Sequence, residues 1–398
     1  TASTKALGRL TDASKYWKRL PPTLLADTPT PSLVVFMDIV RENINAMIYR
    51  AGGPQRWRPH LKTTKMAPVW RELLDHGVRS FKCATVREAS LMLDVAREAG
   101  CGDVDLLVAY PLPAPNMRRL ADLAHLHEGT ARVSMLAEDP AAVEDIPSHL
   151  GVWLDVNPAG SGGSVATAFN RTGAPVDAFS QHAGVASAAG DRFSGVHYYD
   201  GHVPDPDTYD SLIDLVSKLP LGPTPFGNVQ DIPLITSGTP TFEGALSYSG
   251  FHGRPHQISP GTPVFSDGRT LEQTAEELGL QPAALVLAST VSHPAPGYAT
   301  CDAGSKSLAA EVGDPCVHIV GRPDLLALRP SEEHLPMRLV DNGPASGHSQ
   351  RRTSVPARNE LLLLCPLHVC PTVNLAEDAL VVEDGVEPRR ELVRARAH

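Results

Sequence analysis

The run LVVFMDIVRENINAMIYRA, residues 33–51, carries the pattern that decides the fold. Its first six residues, Leu33–Asp38, form a short apolar strand candidate. The rest places Val40, Ile44, Met47 and Ile48 on one face at helical spacing. Seven more strand candidates follow: Arg56–Lys62, Ser80–Thr85, Asp105–Tyr110, Arg132–Ala137, Gly151–Asn157, Ser194–Asp200 and Ile232–Ser237. Amphipathic stretches separate them, as in TYDSLIDLVSKL, where Leu212, Leu215 and Leu219 align. Such alternation calls for parallel strands joined by helical crossovers, and eight units in about 220 residues fit a (β/α)8 TIM-type barrel better than a doubly wound sheet.

Near Pro255 the period changes. Strand-like runs now follow one another: Thr262–Ser266, Ala283–His293, Tyr298–Asp302, Val317–Val320, Leu325–Leu328, Glu360–Pro366 and Ala379–Val382. Turns such as Asp267-Gly268, Asn342-Gly343 and Asp384-Gly385 divide them. The expected organisation is therefore an N-terminal arm (1–27), an α/β barrel (28–255) and a mostly antiparallel β domain (256–398).

Composition narrows the function classes. The 398 residues carry 35 Lys and Arg against 45 Asp and Glu, a formal net charge of -10. No basic stripe accompanies it, so a nucleic-acid partner is not expected. No apolar run is long enough to span a bilayer, so no membrane partner is expected either. The six cysteines are scattered without a CxxC pair, which favours a reducing, cytoplasmic setting over a disulfide framework. The opening TASTKALGRL has the composition of a trimmed transit peptide, which would make the setting organellar; the plainer expectation is a frayed terminus.

A parallel barrel does its chemistry at the C-terminal ends of its strands. Those ends are Lys62, Thr85, Tyr110, Asn157, Tyr199 and Ser237-Gly238-Thr239. Lys62 closes an R-P-H-L-K run. A lysine in a barrel mouth, stripped of water, suits Schiff-base chemistry, whereas the ordinary surface lysine is solvated. The turns Thr236–Pro240 and Ser259–Thr262 offer small residues with bare backbone N–H groups, which can converge on a phosphate. Tight turns look the same, so the weight rests on two such turns with a strand-end lysine. In the second domain, His368 and Cys370 are two apart after LLLLCPL. In a strand they would share a face and offer an imidazole and a thiol to zinc or a similar divalent ion.

The motifs RPHLKTTK (Arg58–Lys65), YDGH (Tyr199–His202), SGTPT (Ser237–Thr241), SPGT (Ser259–Thr262), DAGSK (Asp302–Lys306), SEEH (Ser331–His334) and PLHVCPT (Pro366–Thr372) occur in that order. Together they resemble the D-threonine aldolase and D-serine dehydratase family, fold-type III pyridoxal-phosphate enzymes with an alanine-racemase-like barrel and a β domain. The resemblance covers roughly residues 28–385. It implies that Lys62 carries pyridoxal 5'-phosphate, and that Ser237, Gly238, Thr239, Gly261 and Thr262 hold its phosphate. Arg171, in NRTG, is similar to the arginine beside the cofactor ring, and Tyr199 to the active-site tyrosine. His368 and Cys370 are implied as ligands of a divalent metal ion (Zn, Mn or Mg). Thr64 stands where the family commonly has histidine. The His-x-Cys pair is common among the dehydratases, whereas aldolases of the family carry His-x-Asp.

The activity so implied is retro-aldol cleavage of a small D-β-hydroxy-α-amino acid, D-threonine giving glycine and acetaldehyde, with His202 as base for the hydroxyl. RSFKCAT and HVCPT tip the resemblance towards the aldolase branch. The alternative is a dehydratase of D-serine or D-3-hydroxyaspartate that yields a 2-oxo acid and ammonia. A non-catalytic pyridoxal-phosphate binder is a third reading, against which the β domain and its metal pair count. The resemblance also implies a homodimer with sites that draw on both chains.

Overall fold

The computed structural model describes residues 8–159, 171–201, 208–222, 224–340 and 354–397. The chain divides into two units. One comprises Met47–Lys62 and Ala67–Gly261; the other comprises Thr1–Ala46, Thr63–Met66 and Thr262–Ala397.

The first unit holds the parallel sheet. Its strands are β2 (Ser80–Cys83), β3 (Val104–Val108), β4 (Ala131–Ala137), β5 (Gly151–Asn157), the short β6 (Ala174–Pro175), β7 (Phe193–Tyr198), β8 (Leu234–Thr236) and β9 (His256–Ile258). They run in the order β2-β3-β4-β5-β7-β8-β9, with β6 added to β5, and every pairing is parallel. Residues 57–60 join the two edges: Trp57 bridges to Ile258 and His60 to Lys82. The ring so closed is the barrel expected from the alternation. Leu107, Leu136, Trp153 and Ile235 fill part of its inside. Helices cover the outside in the usual way. Helix Val86–Glu98, for instance, buries Ala89, Met92, Leu93 and Ala96. Thr85 caps it by accepting from the Glu88 N–H at 3.1 Å, while Glu88 reaches back to the Ala84 N–H at 2.7 Å.

The second unit holds a mixed sheet built on β1 (Ser32–Phe36), β10 (Ala284–Ser292), β11 (Tyr298–Cys301), β12 (Val317–Ile319), β13 (Leu325–Ala327), β14 (Leu335–Leu339), β15 (Leu361–Pro366), β16 (Asp378–Glu383) and β17 (Val386–Leu392). All pairings in it are antiparallel except one. β1 lies between β10, to which it is antiparallel, and β16, to which it is parallel.

Three expectations need correction. Leu33–Asp38 is not the first barrel strand: β1 belongs to the mixed sheet. All five of its residues are buried, as in a barrel strand, so its apolar run does not distinguish the two settings. Arg56–Lys62 is not a full strand; it makes isolated bridges and then a 3-10 turn at Leu61–Thr63, because Pro59 lacks the N–H a ladder needs. The parallel sheet ends on β9, which follows β8 and pairs with it. Thr262–Ser266 likewise opens as a 3-10 turn, Thr262–Val264.

Candidate active site

A pocket of about 200 Å³ opens in the barrel unit. Its walls include Lys62, Arg171 and Tyr199, together with Lys82, Asp155 and His197. Three residues singled out in the sequence thus meet in one cavity. Lys62 sits in the turn Leu61–Thr63, its backbone N–H 3.3 Å from the His60 Nδ1. Its side chain is exposed, so the desolvation expected at this lysine is found elsewhere. The Arg171 guanidinium lies 5.8 Å from the centre of the Tyr199 ring, a cation–π distance. Tyr110 and Asn157, two further strand ends, also line the pocket. Thr85 does not; it is taken up by its helix cap. His202, the expected base, lies outside the described residues.

The strand-8 turn has the form of an anion cradle. Ser237 holds a positive φ of 65°, rare for a residue with a side chain. Asp200 fixes it there by accepting from the Ser237 N–H at 2.7 Å. Burial pushes the Asp200 carboxyl up, against hydrogen bonds from Tyr209 and Ser237 that favour its charge. The Ser237 Oγ is buried and finds no hydrogen-bond partner among the described residues. Such an orphan is unusual and fits a place where a ligand supplies the partner. Glycines keep the surroundings open: a Cβ at Gly238 would come within 3.0 Å of the Tyr199 hydroxyl, and one at Gly201 within 2.6 Å. Gly261 is as confined, since its Cβ would meet the His60 carbonyl at 2.3 Å. The residues present therefore fit a phosphorylated aldehyde cofactor: an amine, an orphaned hydroxyl at a bare turn, and an aromatic flank. Gly201→Ala should push the Tyr199 ring aside. The expected result is a pyridoxal-phosphate Kd raised about tenfold with unchanged far-ultraviolet circular dichroism, measured by equilibrium titration.

The pocket's polar floor was missed in the sequence. Lys82 from β2, Asp155 from β5 and His197 from β7 form a buried chain. The Lys82 Nζ lies 3.4 Å from the His197 Nε2, and the His197 Nδ1 lies 2.8 Å from the Asp155 Oδ1. Asp155 and His197 are register partners on adjacent strands, which puts them on the same face. Burial, then the positive charge of Lys62, lowers the Lys82 amine to about 7. Burial likewise lowers His197, against the pull of Asp155, so its imidazole is neutral and donates from Nδ1. Deeper still, Arg58 is 1% exposed and ion-paired to Asp105 at 2.7 Å, with its guanidinium 5.3 Å from the Trp153 ring centre. Burial opposes charge on Asp105, yet Arg58 holds its carboxyl below the usual range. The signal was present: a charged residue in the middle of SFKC, WLDV or GVHY must face either the solvent or the barrel interior. Strand ends alone do not reveal it.

The second unit carries the His368–Cys370 pair. The strand stops at Pro366, so alternation is not what joins them. His368 is the N-cap of helix Val369–Leu375 and Cys370 lies in its first turn. The Cys370 thiol nonetheless acts on the imidazole and favours its charged form. Asp267 pins this turn, accepting from the Val369 N–H at 3.0 Å and from the Thr270 N–H at 2.8 Å. The Cys370 Sγ lies 3.1 Å from the Thr63 Oγ1 and 3.8 Å from the Thr262 Oγ1. Thr262, expected at the phosphate, is thus placed beside the thiol. The His368 Nδ1 meets a Glu311 carboxylate oxygen at 2.7 Å. Burial works against charge on His368, but Cys370 and Glu311 outweigh it and raise the imidazole. An imidazole and a thiol that converge, with a carboxylate orienting the imidazole, fit a borderline-soft divalent ion. Among the described residues no group of three or more His, Cys, Asp or Glu side chains is placed to hold a metal ion, so the pair would act with ligands from outside that set. The pair would leave coordination positions open, as catalytic sites do.

This architecture is the fold seen in alanine racemases. An alanine racemase from Corynebacterium glutamicum superposes with a TM-score of 0.57 at 15% identity, over 85% of this chain and 90% of that one. A nearer likeness narrows the group. The D-threonine aldolase of Filomicrobium marinum superposes with a TM-score of 0.71 at 24% identity, over 94% of this chain and 96% of that one. Residues 283–382 match a family model described as a putative serine dehydratase domain. In sequence the chain is 27% identical to a D-threonine aldolase of Arthrobacter sp. over 92% of each chain. It is 25% identical to the D-threo-3-hydroxyaspartate dehydratase of Delftia sp. (strain HT23), over 71% of this chain and 73% of that one. The resemblance drawn from the motifs holds: the domain match and the relatives are those of the D-threonine aldolase and D-serine dehydratase group. The aldolase and dehydratase relatives are lyases. No described helix is long and apolar enough to cross a membrane.

Proposed function

We propose that the protein is a metal-dependent pyridoxal-phosphate lyase that cleaves small D-β-hydroxy-α-amino acids between Cα and Cβ, with D-threonine giving glycine and acetaldehyde. The observation that carries this reading is the meeting of Lys62, Arg171 and Tyr199 in one barrel pocket. The aldolase relative that matches 92% of the chain supports it.

Lys62 would hold the cofactor through its amine. Ser237, Gly238 and Thr239, with Gly261, would take the phosphate on backbone N–H groups and the Ser237 hydroxyl. Tyr199 and Arg171 would flank the ring. Pyridoxal phosphate, when bound, supplies an electron sink for charge at Cα, and a divalent ion at His368 and Cys370 supplies a Lewis acid for the β-oxygen. The pocket walls fix the amino acid so that one bond to Cα is aligned for cleavage. A homodimer is part of the proposal, as the resemblance implies.

The second reading is a dehydratase that gives a 2-oxo acid and ammonia; the His-x-Cys pair and the family-model match favour it. Both readings use the same residues, so the products decide. We expect acetaldehyde and glycine from D-threonine. A 2-oxo acid with ammonia from D-serine or D-3-hydroxyaspartate, and no aldehyde, would replace the aldolase with the dehydratase. No product from any of them would leave a non-catalytic binder.

A further inference from the structure

We propose that Lys82 is the proton acceptor of the barrel pocket, and that His197 and Asp155 hold it to that role. The proposal rests on the reading of this pocket as the place where an amino acid is handled.

Every α-amino acid arrives as an ammonium. One proton must leave before its nitrogen can act as a nucleophile, and the pocket needs a neutral base to receive it. Lys82 lines the same cavity as Lys62 and is otherwise buried, 2% exposed. The groups that act on it come from every side. They are Lys62 in the 3-10 turn, Arg58 before that turn, Asp155 on β5, His197 on β7 and Asp200 just beyond β7. The Tyr199 ring centre lies 5.2 Å from its nitrogen. Burial and the two cations favour the neutral amine, and the two carboxylates limit the effect, leaving a group that changes charge close to neutral pH. Asp155 accepts the His197 Nδ1 proton, which fixes the tautomer and leaves Nε2 as an acceptor towards Lys82. A protonated Lys82 therefore has somewhere to donate.

The step balances without a co-reactant. The N–H bond of the substrate ammonium breaks, its electron pair stays on the substrate nitrogen, and a new N–H bond forms at the Lys82 Nζ. The proton returns to solvent or product after turnover. Arg58 and Arg171 weaken the ammonium's own hold on its proton by like-charge repulsion.

Two measurements test this. In the apo-protein, competitive acetylation across a pH series, read by mass spectrometry, gives the midpoint of each lysine. Lys82 is expected near 7, against about 10 for exposed lysines. Asp155→Asn removes a charge that favours the protonated form, so the midpoint should fall further. In the holoenzyme, kcat/KM should rise with pH through about 7 and lose that limb in Lys82→Met, with a drop of about 100-fold or more. Lys82→Arg keeps the charge but cannot accept a proton, so it should not rescue. A Lys82 midpoint above about 9 overturns the proposal. So does a Lys82→Arg variant within about threefold of wild type with an unchanged pH profile. A protein inactive on every amino acid, with Lys82 still titrating near 7, overturns the lyase reading and leaves the proton-acceptor assignment supported.

Discussion

Lys62→Ala is expected to lower activity by on the order of 10⁴-fold and to leave a protein that stays colourless with pyridoxal phosphate. Only a primary amine can bond to the cofactor aldehyde, and an alanine offers none. The substitution should not disturb folding, because the Lys62 side chain is exposed and the hydrogen bond to the His60 ring is made by its backbone N–H, which alanine keeps. Thermal melting should therefore be unchanged while absorbance and turnover both vanish. Lys82 provides an internal control, since it is the other amine on the pocket wall. Its burial keeps it at the floor, and it should not substitute for Lys62. An active, yellow Lys62→Ala protein would falsify the cofactor assignment at once.

Metal removal should have the next largest effect. A chelator, with loss of metal verified by elemental analysis, is expected to lower turnover of β-hydroxy substrates by about 100-fold or more while pyridoxal phosphate stays bound. The two cofactors are assigned to different residues in different units, which is why one should leave without the other. His368→Ala should behave like chelation, because Cys370 alone offers one donor. Added Zn, Mn or Mg should restore the chelated protein but not the variant. Full activity in protein shown to be metal-free would make the pair structural, and both proposed reactions would need another way to polarise the β-oxygen.

The sequence made the barrel legible because alternation of strand and helix periods survives local irregularity. It misassigned β1 because a strand buried on both faces reads alike in a barrel and in a mixed sheet. It misread residues 56–62 because Pro59 breaks a ladder without breaking the apolar pattern. At the candidate site, Tyr199 and the Ser237 turn were legible as strand ends, and Lys62 was singled out as one although it sits in a 3-10 turn. The His368–Cys370 pair was expected on strand alternation, whereas it sits at the start of a helix. Over three residues no periodicity separates a strand from a helix start. Lys82, Asp155 and His197 stayed hidden because each lies within a strand. Their meeting depends on which strands become neighbours, and that is a property of the closed ring.

The placement of β1 bears on how the molecule is made. It is made before any barrel strand, yet its native neighbours are Ala284–Leu287 and Ala379–Val382. The parallel barrel is encoded between β1 and the first of these neighbours and can close before either neighbour exists. Through that interval SLVVF, apolar after its first residue and fully buried in the finished fold, has no edge to pair with. The barrel is thus an insert in the chain of the other unit, whose sheet is completed only when the last strands arrive. Nascent chains arrested between residues 262 and 283 should present this segment to chaperones, or to each other, as an unprotected sticky strand.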